Sequence, residues 1–289
     1  MDAHVFFIII FASIMHITWN GMVKKYPNKV IAVSGIVLGH VPLALIAIIF
    51  LPAPSLESIP YIIASAFIHQ GYQWYLLNSY QLGDLTKVYP IARGFGPIVA
   101  TIVSILFLGL IIDNFAILSI FLISLGIMFV GIFDQSNLKN IKVLKYSLLT
   151  GFFIGLYSLV DGYGARVSLS IITYMSWSFL LGAIIFLILL KIKGYDNVLK
   201  KIVNQGKKIF IIGGSLSYLI YIIVVWGFTQ APIPMVAALR ESSIFFFNIY
   251  WLFLFKRKNY YSKNYFNYIN CFGRNWFKIS LGFNFFVYN

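Results

Sequence analysis

Tyr89-Pro90-Ile91-Ala92-Arg93 and Pro232-Ile233-Pro234-Met235-Val236-Ala237-Ala238-Leu239-Arg240 each place an arginine near the start of a membrane-length apolar segment, behind a proline-bearing stretch. A charged side chain inside a bilayer costs roughly 2.5 to 3.5 kcal/mol on insertion scales, so such residues are kept for a pathway, a partner or a ligand. The two arginines read as one site made twice. Composition sets the class: 60% of the residues are hydrophobic and 10% charged, whereas soluble domains carry roughly 25% charged residues. The chain reads as an all-α integral membrane protein.

About 20 helical residues cross about 30 Å of hydrocarbon. Apolar runs of that order fall near 5–23, 30–51, 59–82, 88–112, 114–133, 146–165, 169–190, 209–229 and 234–255, which makes nine spans. The first run has the position of a secretory signal, but Met1-Asp2-Ala3-His4 carries no lysine or arginine and no small-residue cleavage pattern precedes Lys24, so it is expected to stay as a helix. Cys271 is the sole cysteine, which excludes an internal disulfide and any cysteine-rich metal site; no metal and no cofactor is expected. The formal charge of +14 does not point to nucleic acid, because the basic residues punctuate the spans instead of forming one stripe. They cluster after the first, fifth, seventh and ninth spans, as in Lys139, Lys142 and Lys145 or Lys200 and Lys201, while the alternate connections offer only Arg166. The positive-inside rule places the lysine-rich connections in the cytoplasm and the N-terminus outside.

Aligning the chain on Arg93 and Arg240 gives an offset of 147 residues that drops the third and fourth spans onto the eighth and ninth. An offset of 141 sets His16, Asn20, Gly21 and Lys25 of the first span against Tyr157, Asp161, Gly162 and Arg166 of the sixth. Residues 1–133 and 146–255 therefore read as two copies of one unit, with 256–289 as an aberrant basic and aromatic tail. Five spans per half turn the second copy upside down, and inverted repeats enclosing a midplane site are a recurrent secondary-transporter architecture.

His16-Ile17-Thr18-Trp19-Asn20 with Lys24, the string Gly83-Asp84-Leu85-Thr86-Lys87-Val88-Tyr89-Pro90-Ile91-Ala92-Arg93-Gly94, and Asp161-Gly162-Tyr163-Gly164-Ala165-Arg166 together resemble the EamA branch of the drug/metabolite transporter superfamily. Arg240-Glu241-Ser242-Ser243 is similar to the equivalent stretch of that family's second half, and the resemblance covers about residues 1 to 244. It implies two five-helix EamA halves, nine to ten transmembrane helices in all, moving small metabolites across the cell's inner membrane by alternating access without ATP. It also implies that both termini are cytoplasmic, which is opposite to the charge count.

Each polar position also has a packing explanation. His16, Asn20 and Lys24 share one helix face, with Trp19 beside them, as cavity-lining residues or as a hydrogen-bonded helix seam. Gln70, Gln73, Trp74 and Asn78 are spaced to form a wall of amides and aromatics suited to a polar solute. Tyr89 precedes Arg93, and Tyr157 lies one turn before Asp161. An intramembrane carboxylate such as Asp161 needs a proton or a cationic partner, with Arg93 or Arg240 the expected ones; Glu241 is expected to point to a different face and at most to neutralise its neighbour Arg240. A guanidinium holds a carboxylate bidentately, which makes Arg93 and Arg240 the expected anchors of a solute.

No HExxH, GxSxG or convincingly spaced carboxylate pair supports an enzyme. Arginines, one aspartate, amides and aromatics suit an amino acid or other carboxylate-bearing metabolite, with proton coupling open to Asp161; the resemblance implies export, with uptake the alternative. A non-transporting scaffold or sensor is the alternative reading. A second alternative is an inactive, frameshifted transporter: from Lys256 on the apolar periodicity disappears, Phe245-Phe246-Phe247 suits a slip-prone run of T bases, and Phe255 to Phe266, back-translated with A- and T-rich codons chosen for it and read one base later, becomes Leu-Lys-Glu-Lys-Ile-Ile-Ile-Gln-Lys-Ile-Ile, similar to the family's final turn and helix. The charge pattern predicts that Lys139, Lys142 and Lys145 lie on the same membrane side as Lys200 and Lys201. Cysteine-accessibility labelling of the two connections in intact vesicles checks this, and opposite sides would refute the nine-span layout.

Overall fold

A computed structural model describes residues 1–83, 85–132 and 141–241. Among them the regular structure is entirely helical: α1 (Ala3–Lys25), α2 (Lys29–Gly39), α3 (Val41–Phe50), α4 (Ile59–Leu82), α5 (Leu85–Leu108), α6 (Asn114–Ile132), α7 (Ile141–Val167), α8 (Ile171–Ile192), the short α9 (Val198–Lys201), α10 (Gly214–Gln230) and α11 (Ile233–Arg240). Two one-turn π-helical segments, Ile202–Gly206 and Ile209–Gly213, lead into α10. Six stretches are long and apolar enough to cross a membrane: Ala3–Val23, Lys29–Phe50, Val88–Leu108, Ile141–Val167, Ile171–Ile192 and Ile209–Gln230. The protein is a multi-pass, all-helical membrane protein. α4 has the length of a span, but its amides and His69 lower its hydropathy below the others. The ninth expected span is described only as α11. The expected tenth-helix ending, the tail 256–289 and the Phe245-Phe246-Phe247 tract lie outside the described residues, as does Asp84.

Local chemistry sets the helix ends. Asn28 caps α2 by accepting from the Ile31 amide at 3.2 Å, and Ser170 caps α8 by accepting from Thr173. Asp113 accepts from the amides of Phe115 and Ala116 at the start of α6. Arg166, expected only as the counterpart of Lys25, donates to the carbonyls of Phe228 and Ala231 and so closes the C-terminal end of α10. The second span divides into α2 and α3 at His40. Pro42 cannot donate a helical hydrogen bond, and the break leaves the His40 ring buried.

The helices are turned outward for lipid. On α1, Phe7, Phe11 and Ile14 are exposed, whereas Val5, Ile9, Ala12, Ser13, His16 and Asn20 are buried. Hydrocarbon solvates the outer face and leaves polar groups to the interior. Two glycine pairs permit close crossings. Gly151 and Gly155 of α7 meet α5, where a Cβ on Gly155 would lie 2.8 Å from the Gly96 carbonyl oxygen. Gly35 and Gly39 of α2 meet the segment entering α10, where a Cβ on Gly39 would lie 2.8 Å from the Gly214 Cα. Small residues four apart let membrane helices approach backbone to backbone.

The offsets seen in the sequence recur in the helix boundaries: α1 corresponds to α7, α2 with α3 to α8, α4 to α10 and its preceding π turn, and α5 to α11. Partners are exchanged between these sets. α1 packs along α10 and α7 along α4; α2 packs on the Ile209–Gly213 turn and α8 on α4; α1 meets α11 as α7 meets α5. Through its last described residue the chain is accordingly one compact unit.

Gly39→Ala is expected to destabilise the protein by about 1 to 3 kcal/mol through overpacking against backbone that cannot retreat. Gly21, with nothing within 4 Å of its would-be Cβ, is the control: Gly21→Ala should be neutral or mildly stabilising. Thermal unfolding in one detergent distinguishes them, and equal midpoints for the two variants would contradict the crossing.

Candidate functional site: a cavity between two arginines and a histidine–aspartate pair

Exchanged packing brings α1, α2, α4, α5, α7, α8, α10 and α11 around one partly open cavity of about 60 Å³. About 10 to 15 Å³ of such space holds one water, so the chamber admits a few waters or a compact solute. His16, Trp19 and Asn20 line it from α1, Gln73 from α4, Tyr157 from α7, Arg93 from α5 and Arg240 from α11. These seven sequence-predicted residues are brought together. The corresponding pairs, Arg93 with Arg240 and His16 with Tyr157, all reach the same chamber.

The arginines are not paired with Asp161. Arg93 Nη1 donates to Glu241 Oε1 at 3.3 Å, and Arg240 donates to the same oxygen from Nε at 3.1 Å and Nη2 at 3.0 Å. Both guanidinium groups and Glu241 are buried, and Glu241 Oε2 takes no hydrogen bond among the described residues. Glu241 is thus the counterion of Arg93 as well as of its neighbour Arg240, and not turned to a different face. The sequence reading assumed a continuing helix, on which adjacent residues diverge; Glu241 instead occupies the turn after Arg240, its amide bonded to the Ala238 carbonyl, and its side chain comes back onto both arginines. Two positive groups and one negative one leave this end of the cavity with a surplus positive charge.

Hydrogen-bond donors are in surplus too. Trp19 Nε1 donates to His16 Nδ1 at 3.2 Å while Arg93 Nη2 lies 2.5 Å from His16 Nε2. A neutral imidazole carries one proton and accepts at only one nitrogen, so one of these contacts sets two donors against each other. Tyr89 does not line the cavity; its ring lies 4.9 Å beneath the Arg93 guanidinium and supports it by a cation–π contact.

Asp161 stands one layer behind the cavity wall. It is fully buried and accepts from Tyr174 Oη at 3.2 Å on Oδ1, and from Tyr221 Oη on Oδ2, with His69 Nε2 2.9 Å from the same Oδ2. Its partner is therefore His69, in place of the expected arginine, because α4 and α10 flank α7 at this level while Glu241 occupies both guanidinium groups. His69 lines the cavity and stacks on Tyr157, ring centres 4.3 Å apart and planes 15° apart. His40, also at the wall, packs against Phe179 at 4.4 Å. The sequence reading missed His69, His40, Tyr221 and Phe179. His69 directly precedes the Gln70 that was singled out, and a histidine in the middle of an apolar span is itself the signal.

Three residues of the expected α4 wall face elsewhere. Gln70 donates to the Ala66 carbonyl and packs against Gly182 of α8. Asn78 donates to the Trp74 carbonyl of its own helix, and Trp74 faces Lys193 with the ammonium 5.4 Å from its ring. Those are the packing and interfacial roles that amides and tryptophans commonly take. The Lys24 side chain, expected on the His16 face, lies outside the described residues. Among the described residues no group of three or more histidine, cysteine, aspartate or glutamate side chains could hold a metal ion.

Known proteins add no identification: no family model matches the chain, and no curated protein does.

Removing one member of a buried ion cluster leaves an uncompensated charge, at a cost of about 3 to 5 kcal/mol. Glu241→Gln changes the local charge from one surplus positive to two, whereas Arg240→Gln removes the surplus. Glu241→Gln is therefore expected to lower the unfolding midpoint in detergent more than Arg240→Gln does, and the reverse order would contradict the charge tally.

Proposed function

We propose that the chain is a secondary, ATP-independent transporter of small carboxylate-bearing solutes, with amino acids foremost, working by alternating access in the cytoplasmic membrane. One observation carries this reading. Arg93 and Arg240, which align at an offset of 147 residues, converge on one carboxylate at the wall of a small cavity and retain a surplus positive charge there. A solute carboxylate neutralises that charge and accepts from the crowded donors of Arg93, Arg240, Trp19 and His16. An inverted repeat of two five-helix EamA halves is proposed with it. The support is the resemblance at His16–Asn20, Gly83–Gly94 and Asp161–Arg166, the matched helix boundaries and the exchanged packing. In such folds the site lies between the repeats, and rocking one against the other opens it to either side.

Counterflow of labelled amino acids and of simple carboxylates in proteoliposomes, with gradients imposed in both directions, tests the function. Arg93→Lys keeps the charge and loses the fork, so uptake at limiting solute should fall about tenfold; Arg93→Ala should lose more, roughly a hundredfold, in line with 1.5 to 3 kcal/mol per charged hydrogen bond. Counterflow unchanged in Arg93→Ala, or absent for every carboxylate in the native chain, would end the proposal.

A further inference from the structure

The arginine end recognises a carboxylate and says nothing about the rest of the solute. The other polar feature of the chamber is His69 with Asp161 behind it. His69 Nε2 faces Asp161 Oδ2 at 2.9 Å, which makes Nε2–H the donor and leaves Nδ1 as a lone-pair acceptor. Nδ1 has no hydrogen-bond partner among the described residues, and it is not among the buried atoms left unsatisfied. It belongs to a ring that lines the cavity. Aromatic neighbours hold that ring from three helices: Tyr157 stacked at 4.3 Å, Tyr221 edge-on at 5.4 Å and Phe179 edge-on at 6.1 Å. The Tyr221 and Tyr174 hydroxyls in turn hold the carboxylate. Arg240 also packs on Tyr157, its Cζ 5.9 Å from the ring centre, so the two ends are separated by little more than one aromatic ring.

We propose that His69 is the amino-group receptor of the cavity, so that the solute is a zwitterionic amino acid with its carboxylate on Arg93 and Arg240 and its ammonium donating to His69 Nδ1. This rests on the carboxylate reading above and adds the class of solute. Asp161 is a positioning residue: it fixes the tautomer that exposes Nδ1 and sets a negative charge behind it, as carboxylates do for histidines that serve as ligands. Charge bookkeeping agrees. With the imidazoles neutral, Arg93 and Arg240 balance Glu241 and Asp161, and a zwitterion leaves that balance at zero while meeting a surplus of opposite sign at each end. A bare carboxylic acid anion meets only one end.

Competition binding on the purified full chain in nanodiscs tests this with three matched pairs: alanine and lactate, leucine and 2-hydroxyisocaproate, phenylalanine and phenyllactate, each against a tritiated mixture of the twenty amino acids. A hydroxyl replaces a charge-assisted hydrogen bond with a neutral one, so the best-bound amino acid is expected to compete about tenfold more strongly than its hydroxy acid. In Asp161→Asn and in His69→Asn that ratio should fall to within about threefold. The ratio is measured on one preparation, so a change in the folded fraction leaves it unmoved, and Tyr221→Phe, a milder change, should lower it partway. Arg93→Ala should weaken both members of each pair together. Equal competition by amino and hydroxy acids in the native chain, or a ratio unaffected by Asp161→Asn and His69→Asn, overturns the receptor assignment and leaves the carboxylate reading standing. Binding of neither class overturns both.

Discussion

Two guanidinium groups enclosed in a bilayer-spanning bundle cannot be left to water, and that requirement organises the centre of the molecule. Arg93 and Arg240 arrive from helices in opposite halves of the chain and share the single oxygen Oε1 of Glu241. The arrangement holds only if α5 and α11 stay in register, because losing either partner strands a buried charge. The end of α11 makes it possible. A glutamate one residue after an arginine on a continuing helix would point about a quarter-turn away, but in the turn after Arg240 it folds back onto both guanidinium groups.

Bringing the two arginines together depends on how closely the helices cross. Gly151 and Gly155 admit α5 to α7, and Gly35 with Gly39 admits the π-helical entry of α10 to α2. π turns of this kind are found where a helix has to re-aim its residues. Here they precede the stretch of α10 that carries Ser217, Ile220 and Tyr221 into the cavity. Lipid takes no part in this geometry beyond solvating the outer faces. The polar interior is what gives the bundle its specific packing, since apolar side chains gain little by leaving hydrocarbon for one another.

The cavity that results is polar at both ends and aromatic between them. Tyr157 touches both ends: it stacks on His69 and underlies Arg240. His16, 141 residues earlier in the chain, sits against Arg93.

The class of the protein was legible in composition and six of the nine expected spans in the length of the apolar runs, because a bilayer imposes both whatever the topology. The 147- and 141-residue offsets were legible as well, and with them the meeting of Arg93, Arg240, His16 and Tyr157. The pairing of charges was not. Which carboxylate meets which cation depends on where α11 ends, a matter of one residue at Glu241, and on which helices flank α7, a matter of packing between segments far apart in the chain. His69 and Asp161 are 92 residues apart, and neither spacing nor periodicity links them. Likewise Gln70, Trp74 and Asn78 looked equivalent to Gln73 on a helical wheel, yet only Gln73 faces the chamber, because α8 and the lysine-bearing end beyond it claim the other sides of α4. The sequence by itself determined a lipid-solvated helical bundle with polar residues duplicated at its centre; only the tertiary structure decided their partners, since hydrogen bonds and ion pairs in hydrocarbon form between whichever groups the packing brings within 3 Å or so of each other.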